Sequence, residues 1–178
     1  MNPQFERVSA LIEHAISGLS DQDLAWHAQG KWSSAEVLEH LARAFGGTAK
    51  GMQRAVALPM PECRAMTFAE RLAIAVVVHL GYFPRGRKSP EQVVPRGLPP
   101  ADAVKLIREN LQAMDAAITQ CEQKFGSTRK MFVHPVLGPL NISEWRKFHL
   151  VHTRHHMKQI VRMRKQISAA HSVSAVST

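Results

Sequence analysis

Three times this chain sets a short polar residue three positions ahead of a glutamate, at the head of a run whose apolar residues recur with helical spacing: SSAE at 33–36, TFAE at 67–70 and NISE at 141–144. Ser33, Thr67 and Asn141 can each accept a hydrogen bond from an amide of the first turn. Glu36 and Glu70 can reach back to the capping residue's own N–H, and Glu144 fills the same third position. A chain so punctuated is built from helices. The first predicted helix runs from about 3 to 17 and stops at Gly18, with Phe5, Val8, Leu11, Ile12 and Ala15 in register. The second runs from Ser33 to about Ala57; Val37, Leu38, Leu41, Ala42 and Phe45 form its stripe, with His40 at the edge. The third spans 67–81 through Leu72, Ala75, Val76 and His79. Its β-branched residues leave a strand open for AIAVVVHL, although the cap favours helix. The fourth starts at an N1-type proline, Pro100, carries Val104, Ile107, Leu111, Met114 and Ile118 on one face, and ends before Gly126. The fifth runs from the Asn141 cap to about Ile167. No segment reads convincingly as a strand.

Five amphipathic helices joined by loops predict one all-α domain, an antiparallel helical bundle over residues 1–168 with a flexible tail at 169–178. Residues 82–99 carry glycine or proline near both ends and read as an irregular connection of a length that is often functional. Arg85, Arg87, Lys88 and Arg96 lie there, either as a solvated loop or as a lid gripping an anionic substrate. HPVLGPLN at 134–141 reads as a second irregular stretch. Cys63 and Cys121 stand in no ligand-like spacing and read as reduced bystanders. The N-terminus is not a secretory signal, and the longest apolar stretch, 72–83, is too short for a bilayer, so a cytoplasmic protein is expected. The formal charge of +9 comes from basic residues scattered over several segments, with no nucleic-acid motif, and reads as a solvated surface. A small-molecule substrate is the expected partner rather than nucleic acid or a membrane, and a homodimer is expected only because dimers are common.

HLVHTRHHMKQI, residues 149–160, holds four of the ten histidines. On a helix each residue advances about 100°, which puts His149, His152 and His156 within an arc of roughly 60° and turns His155 about 60° further round. Trp145, Ile160, Met163 and Ile167 share that arc, while Lys147, Arg154, Lys158 and Arg162 lie opposite. The three histidines therefore face a core, where both ring nitrogens need partners and a shared metal ion can supply one. His152 and His156, at i and i+4, can offer two nitrogens to one ion. His149 lies about 10 Å from His156 along the axis, so the two cannot both reach one ion, and His149 reads either as an i, i+3 alternative ligand or as a group behind the ligands. A third ligand has to come from another helix. His40 and His79 qualify, and His14 and His27 are weaker. His155 reads as solvated, Gln159 either as a hydrogen-bond partner for a ligand ring or as an exposed side chain, and Trp32 and Trp145 as core anchors.

KWSSAEVLEHLARAF (31–45), followed by HPVLGPLNISEWRKFHLVHTRHHMKQI (134–160), resembles the DinB/YfiT-like superfamily of metalloenzymes. The HP-x-x-G-x-L-x-x-x-E-W approach to the last helix looks like an uncharacterised DinB-like branch. The resemblance implies a four-helix bundle in up-down-down-up order, with an additional short helix and long loops. It implies a metal held by His40 together with His152 and His156. Such an ion is nickel, zinc or manganese, and better understood relatives are thiol-dependent transferases and isomerases using low-molecular-weight thiols such as bacillithiol or mycothiol. The expected function is a metal-dependent enzyme activating a thiol, or water, for attack on an electrophile, with His149, His79, Gln159, Arg85 and Arg87 as pocket candidates. A metal-dependent hydrolase is the alternative, but Glu39 points about 100° away from His40, Glu144 is engaged in a cap, and H-E-x-x-H is absent. A non-enzymatic metal-binding or stress-related protein is the further alternative.

Overall fold

The computed structural model describes residues 1–60, 62–83 and 88–176. Its elements in order are α1 (Pro3–Ile16), α2 (Asp21–Ala25), α3 (Ser34–Ala57), α4 (Phe68–Ile74), α5 (Pro100–Phe125), a hairpin of β1 (Lys130–His134) and β2 (Gly138–Asn141), and α6 (Ile142–Val176). Each of the three polar-x-x-Glu sites starts a helix. The Glu36 amide donates to Ser33 Oγ at 3.1 Å and the Ser33 amide to Glu36 Oε2 at 2.7 Å. Thr67 and Glu70 repeat the exchange at α4, and Asn141 and Glu144 at α6. None of the helices is long and apolar enough to cross a membrane among the described residues.

Side-chain contacts fix the helix directions. Asn2 meets Asp115 while Glu13 meets Arg108, so α1 and α5 are antiparallel. Asn110 donates to the Ala42 carbonyl, Cys121 to that of Met52 and Lys124 to that of Val56, so α3 and α5 run parallel. Ser34 reaches Met163 while Thr48 reaches His149, so α3 and α6 are antiparallel. The order is up-down-down-up. A core of Leu38, Leu41, Phe45 and Met52 from α3 and Ile107, Leu111, Met114 and Ile118 from α5 is closed by Phe5, Val8 and Ile12 of α1 and Ile160 of α6. Because α3 and α5 are parallel, residues 58–99 must return along the bundle before α5 can start.

Four features differ from the sequence reading. The short helix α2 lies between α1 and α3, capped by Ser20 and Asp23. Residues 130–141 form an antiparallel hairpin, with Val133 opposite Pro139 and His134 opposite Gly138, in place of an irregular stretch. Proline is tolerated there because each strand has only one neighbour. The 67–81 segment is helical, not a strand, but its last turn, Ala75–His79, is a π turn closed by the Leu80 amide on the Ala75 carbonyl at 2.9 Å. The wider turn shifts the inward face to Ile74, Val77 and Val78 and leaves His79 exposed. Finally, the backbone of α6 stays helical to Val176, past the predicted stop near Ile167. No glycine or proline follows Asn141 to end it.

Two glycines of α3 have opposite surroundings. A Cβ at Gly51 would lie 2.6 Å from Phe132 Cζ, whereas one at Gly47 would meet nothing within 4 Å. Both are helical, so alanine gains the same propensity, about 0.5–1 kcal/mol, at either site. Urea denaturation is expected to show Gly47→Ala stabilised by that amount and Gly51→Ala destabilised by about 1–3 kcal/mol through overpacking.

Candidate metal centre

His40 stands near the start of α3, and His152 and His156 lie one turn apart on the antiparallel α6. All three are buried, between 3% and 7% exposed. His152 Nε2 lies 3.3 Å from His40 Nε2 and 3.0 Å from His156 Nε2, and the three nitrogens fall within 4.8 Å of one another. Two of the rings spend their other nitrogen elsewhere. His40 Nδ1 donates to the Val93 carbonyl at 2.8 Å, and His156 Nδ1 donates to Gln159 Oε1 at 2.9 Å. Their Nε2 atoms therefore carry lone pairs that converge on the same point as His152 Nε2. Two imidazole nitrogens at about 2.0–2.1 Å from one tetrahedral ion stand roughly 3.4 Å apart, so the observed spacings fit a shared divalent cation. A proton on His152 can join only part of this cluster, and His152 Nδ1 is buried without a partner.

Each ring is oriented by a different device. The Val93 carbonyl that fixes His40 belongs to the returning segment before α5, and that segment is held by Glu39. The Glu39 side chain, 1% exposed, accepts the amide hydrogens of Arg96 at 2.8 Å and of Gly97 and Leu98 at 3.0 Å each. Arg43 bridges from Glu39 to the Gln92 carbonyl. Glu39 does turn away from the three-histidine centre, as its helical position predicts. Its task is to clamp the segment that orients the neighbouring ligand candidate. Gln159 orients His156 and its amide also meets His155 Nε2 at 3.3 Å. His152 is instead stacked between Phe83 and Phe148, with ring centroids 5.2 and 5.3 Å away.

Burial keeps these imidazoles neutral. It pushes His152 well below the ordinary range, reinforced by the neighbouring histidines, and His156 down to about 3. His40 is lowered for the same reason, although its bond to Val93 opposes the shift. At neutral pH the lone pairs are available without first expelling a proton.

His149 is fully buried, bonded through Nε2 to Thr48 Oγ1 at 2.9 Å and packed on Phe45, Trp145 and Phe148, so it lies behind the cluster. His79 is exposed and does not line the cavity beside the cluster, which removes it from the pocket candidates. His14 and His27 are exposed as well. Arg85 and Arg87 lie outside the described residues. His155 is half-buried against Phe83, not fully solvated. Trp145 is a core anchor stacked on Phe132, and both Trp145 and Trp32 also form part of the cavity wall.

His134 was not singled out from the sequence. Its Nδ1 accepts the amide hydrogens of Val136 and Leu137, both at 3.1 Å, and so forms the hairpin turn while its ring lines the cavity. The only signal was the His-Pro pair at the head of an irregular stretch. The cavity, about 1180 Å³, opens beside the three histidines and is walled mainly by aliphatic and aromatic side chains, with no aspartate or glutamate among its described lining.

Residues 3–163 match the family model described as Protein of unknown function (DUF1569). No curated protein matches the chain. Among solved structures, YfiT from Bacillus subtilis, described as a probable metal-dependent hydrolase with an unusual four-helix bundle topology, is similar with a TM-score of 0.57. The match covers 93% of this chain and 84% of that chain at 17% identity, a likeness of fold.

Burial lowers His134 to about 4 and His149 to about 3. The unfolded chain, with histidine near 6.5, therefore binds more protons than the native state between those values and 6.5, and stability rises with pH through that window. In chelator-treated protein the urea midpoint is expected to fall steadily from pH 7 to pH 4.5. His149→Gln is expected to flatten the dependence by about 1.4 kcal/mol per pH unit, one proton's share.

Proposed function

The chain belongs to the DUF1569 family, and we propose that it is a divalent-metal-dependent enzyme in which His40, His152 and His156 hold the ion and a small-molecule electrophile enters the adjoining cavity. The convergence of three Nε2 atoms, with spacings of 3.0 and 3.3 Å to His152, carries this reading. It is supported by the ligand set that the DinB/YfiT-like resemblance implies and by the description of YfiT as a probable metal-dependent hydrolase. Nickel, zinc and manganese all suit the site, and three imidazoles leave a coordination position open.

A dipositive ion held by neutral ligands supplies the Lewis acidity that keeps a bound thiol or water deprotonated at neutral pH. The chain's own residues do the rest. Val93 and Gln159 hold the His40 and His156 rings with their Nε2 atoms inward, and Phe83 and Phe148 hold His152 in plane. Apolar walls limit the water that reaches the reacting atoms. A low-molecular-weight thiol is the preferred nucleophile, because water attack ordinarily uses a general base. No carboxylate lines the described cavity, Glu39 is committed to three backbone amides, and Glu144 to its cap. Water, the second reading, is favoured by the description of YfiT.

Purified protein is expected to bind close to one equivalent of zinc or nickel, measured by elemental analysis, and His152→Ala and His156→Ala to bind none. His79→Ala is expected to retain the full equivalent. Glu39→Gln is expected to weaken zinc binding about 10–100-fold by releasing the segment that carries Val93. Consumption of thiol across a panel that includes bacillithiol, mycothiol and cysteine, with a reactive aryl electrophile, separates the readings. Ester hydrolysis without thiol consumption makes water the nucleophile, and a folded wild-type protein that takes up no metal removes both.

A further inference from the structure

The cavity has a chemical bias beyond the metal. Its walls are mostly apolar, and Leu72, Val94, Val133 and Val136, which line it, are between 39% and 56% exposed, so the apolar surface continues out through the mouth. Apolar surface that runs continuously from a cavity to solvent is a signature of a binding site. Acidic side chains are absent from the described lining, whereas two exposed cations, Lys88 and Arg162, belong to it. Neither forms an ion pair among the described residues, although Glu13, Glu39, Glu70, Glu122 and Glu144 are all paired with other basic groups. The space is large because α3 faces it with Ala44, Gly47 and Thr48, small residues just past His40. At about 1180 Å³ it exceeds what a compact polar metabolite needs and accepts a body of about a dozen carbons or more.

We propose that the cavity binds an amphipathic anion, an acyl or aryl carboxylate whose apolar body lies along α3 and the hairpin and whose charge is met by Lys88 and Arg162. This rests on the enzymatic reading only in making that molecule the substrate class; the binding itself needs no metal. The two cations select for negative charge, the exposed apolar residues extend the wall on which the body packs, and the missing carboxylates remove the repulsion that would otherwise oppose an anion.

Isothermal titration of the zinc-loaded protein with dodecanoate, dodecan-1-ol and dodecyltrimethylammonium tests this, with tryptophan fluorescence as a second readout because Trp32 and Trp145 line the cavity. Dodecanoate is expected to bind at least tenfold tighter than the alcohol, and the cation weakest. The double variant Lys88→Glu with Arg162→Glu is expected to lose at least tenfold in dodecanoate affinity while binding the alcohol unchanged. Gly47→Phe, whose Cβ would meet nothing within 4 Å at a residue that lines the cavity, is expected to lose binding of both, with circular dichroism and zinc content confirming that it folds. In chelator-treated wild-type protein dodecanoate is expected to keep its tenfold advantage over the alcohol, which separates this proposal from the metal reading. Equal affinity for anion and cation, or dodecanoate binding indifferent to Gly47→Phe in the folded variant, overturns it.

Discussion

Two parallel helices in contact cannot be joined by a tight turn, and the close packing of α3 along α5 therefore dictates much else in this molecule. The chain leaving Ala57 at one end must come back to Pro100 at the other. On its way it builds α4 and the π turn, which wall the cavity, and then runs beside the start of α3. There the buried Glu39 carboxylate collects three consecutive amide hydrogens, the kind of fixed, charge-assisted contact that holds a non-helical segment in one place. The topological obligation and the orientation of His40 are thus parts of one device. A bundle with alternating helices would have no returning segment to offer that carbonyl.

The other half of the site depends on low polarity. Imidazoles crowded this closely would repel if charged, and burial resolves that by holding them neutral. The same apolar surroundings leave the nitrogens few protein partners, which is why the cluster has unspent lone pairs. Aromatic rings provide the orientation that hydrogen bonds do not, most plainly at His152, which lies between two phenyl rings. The cavity that results is both a wall for the cluster and an apolar compartment in its own right.

Much of this was written in local sequence. The caps at Ser33, Thr67 and Asn141 announce their helices because the interaction spans three residues, and the inward arc of His149, His152 and His156 follows from helical geometry alone. The pairing of His40 with His152 and His156 was not fixed by geometry within one segment, since His79 qualified equally; the family resemblance chose between them. What escaped depends on distant contacts. The π turn that turns His79 outward is a departure from the regular wheel, the hairpin at 130–141 hides behind two prolines, and the role of Glu39 requires knowing that residues 96–98 fold back beside it. Likewise His134 shows its place only once the turn that it bonds is formed.

The separation of these contacts along the chain bears on how the molecule assembles. The β1–β2 hairpin closes between neighbours in sequence, whereas Glu39 finds its amides 57 to 59 positions away and His40 finds His152 at a distance of 112. Loop-closure entropy delays contacts of that range until shorter ones are in place. The triad of imidazoles is complete only once such contacts are in place, and a cation held there, as proposed, would reward only chains that have folded that far. On the proposed function, ligation would double as a latch on the native topology, selecting against partly docked forms in which the crossover has not yet come home.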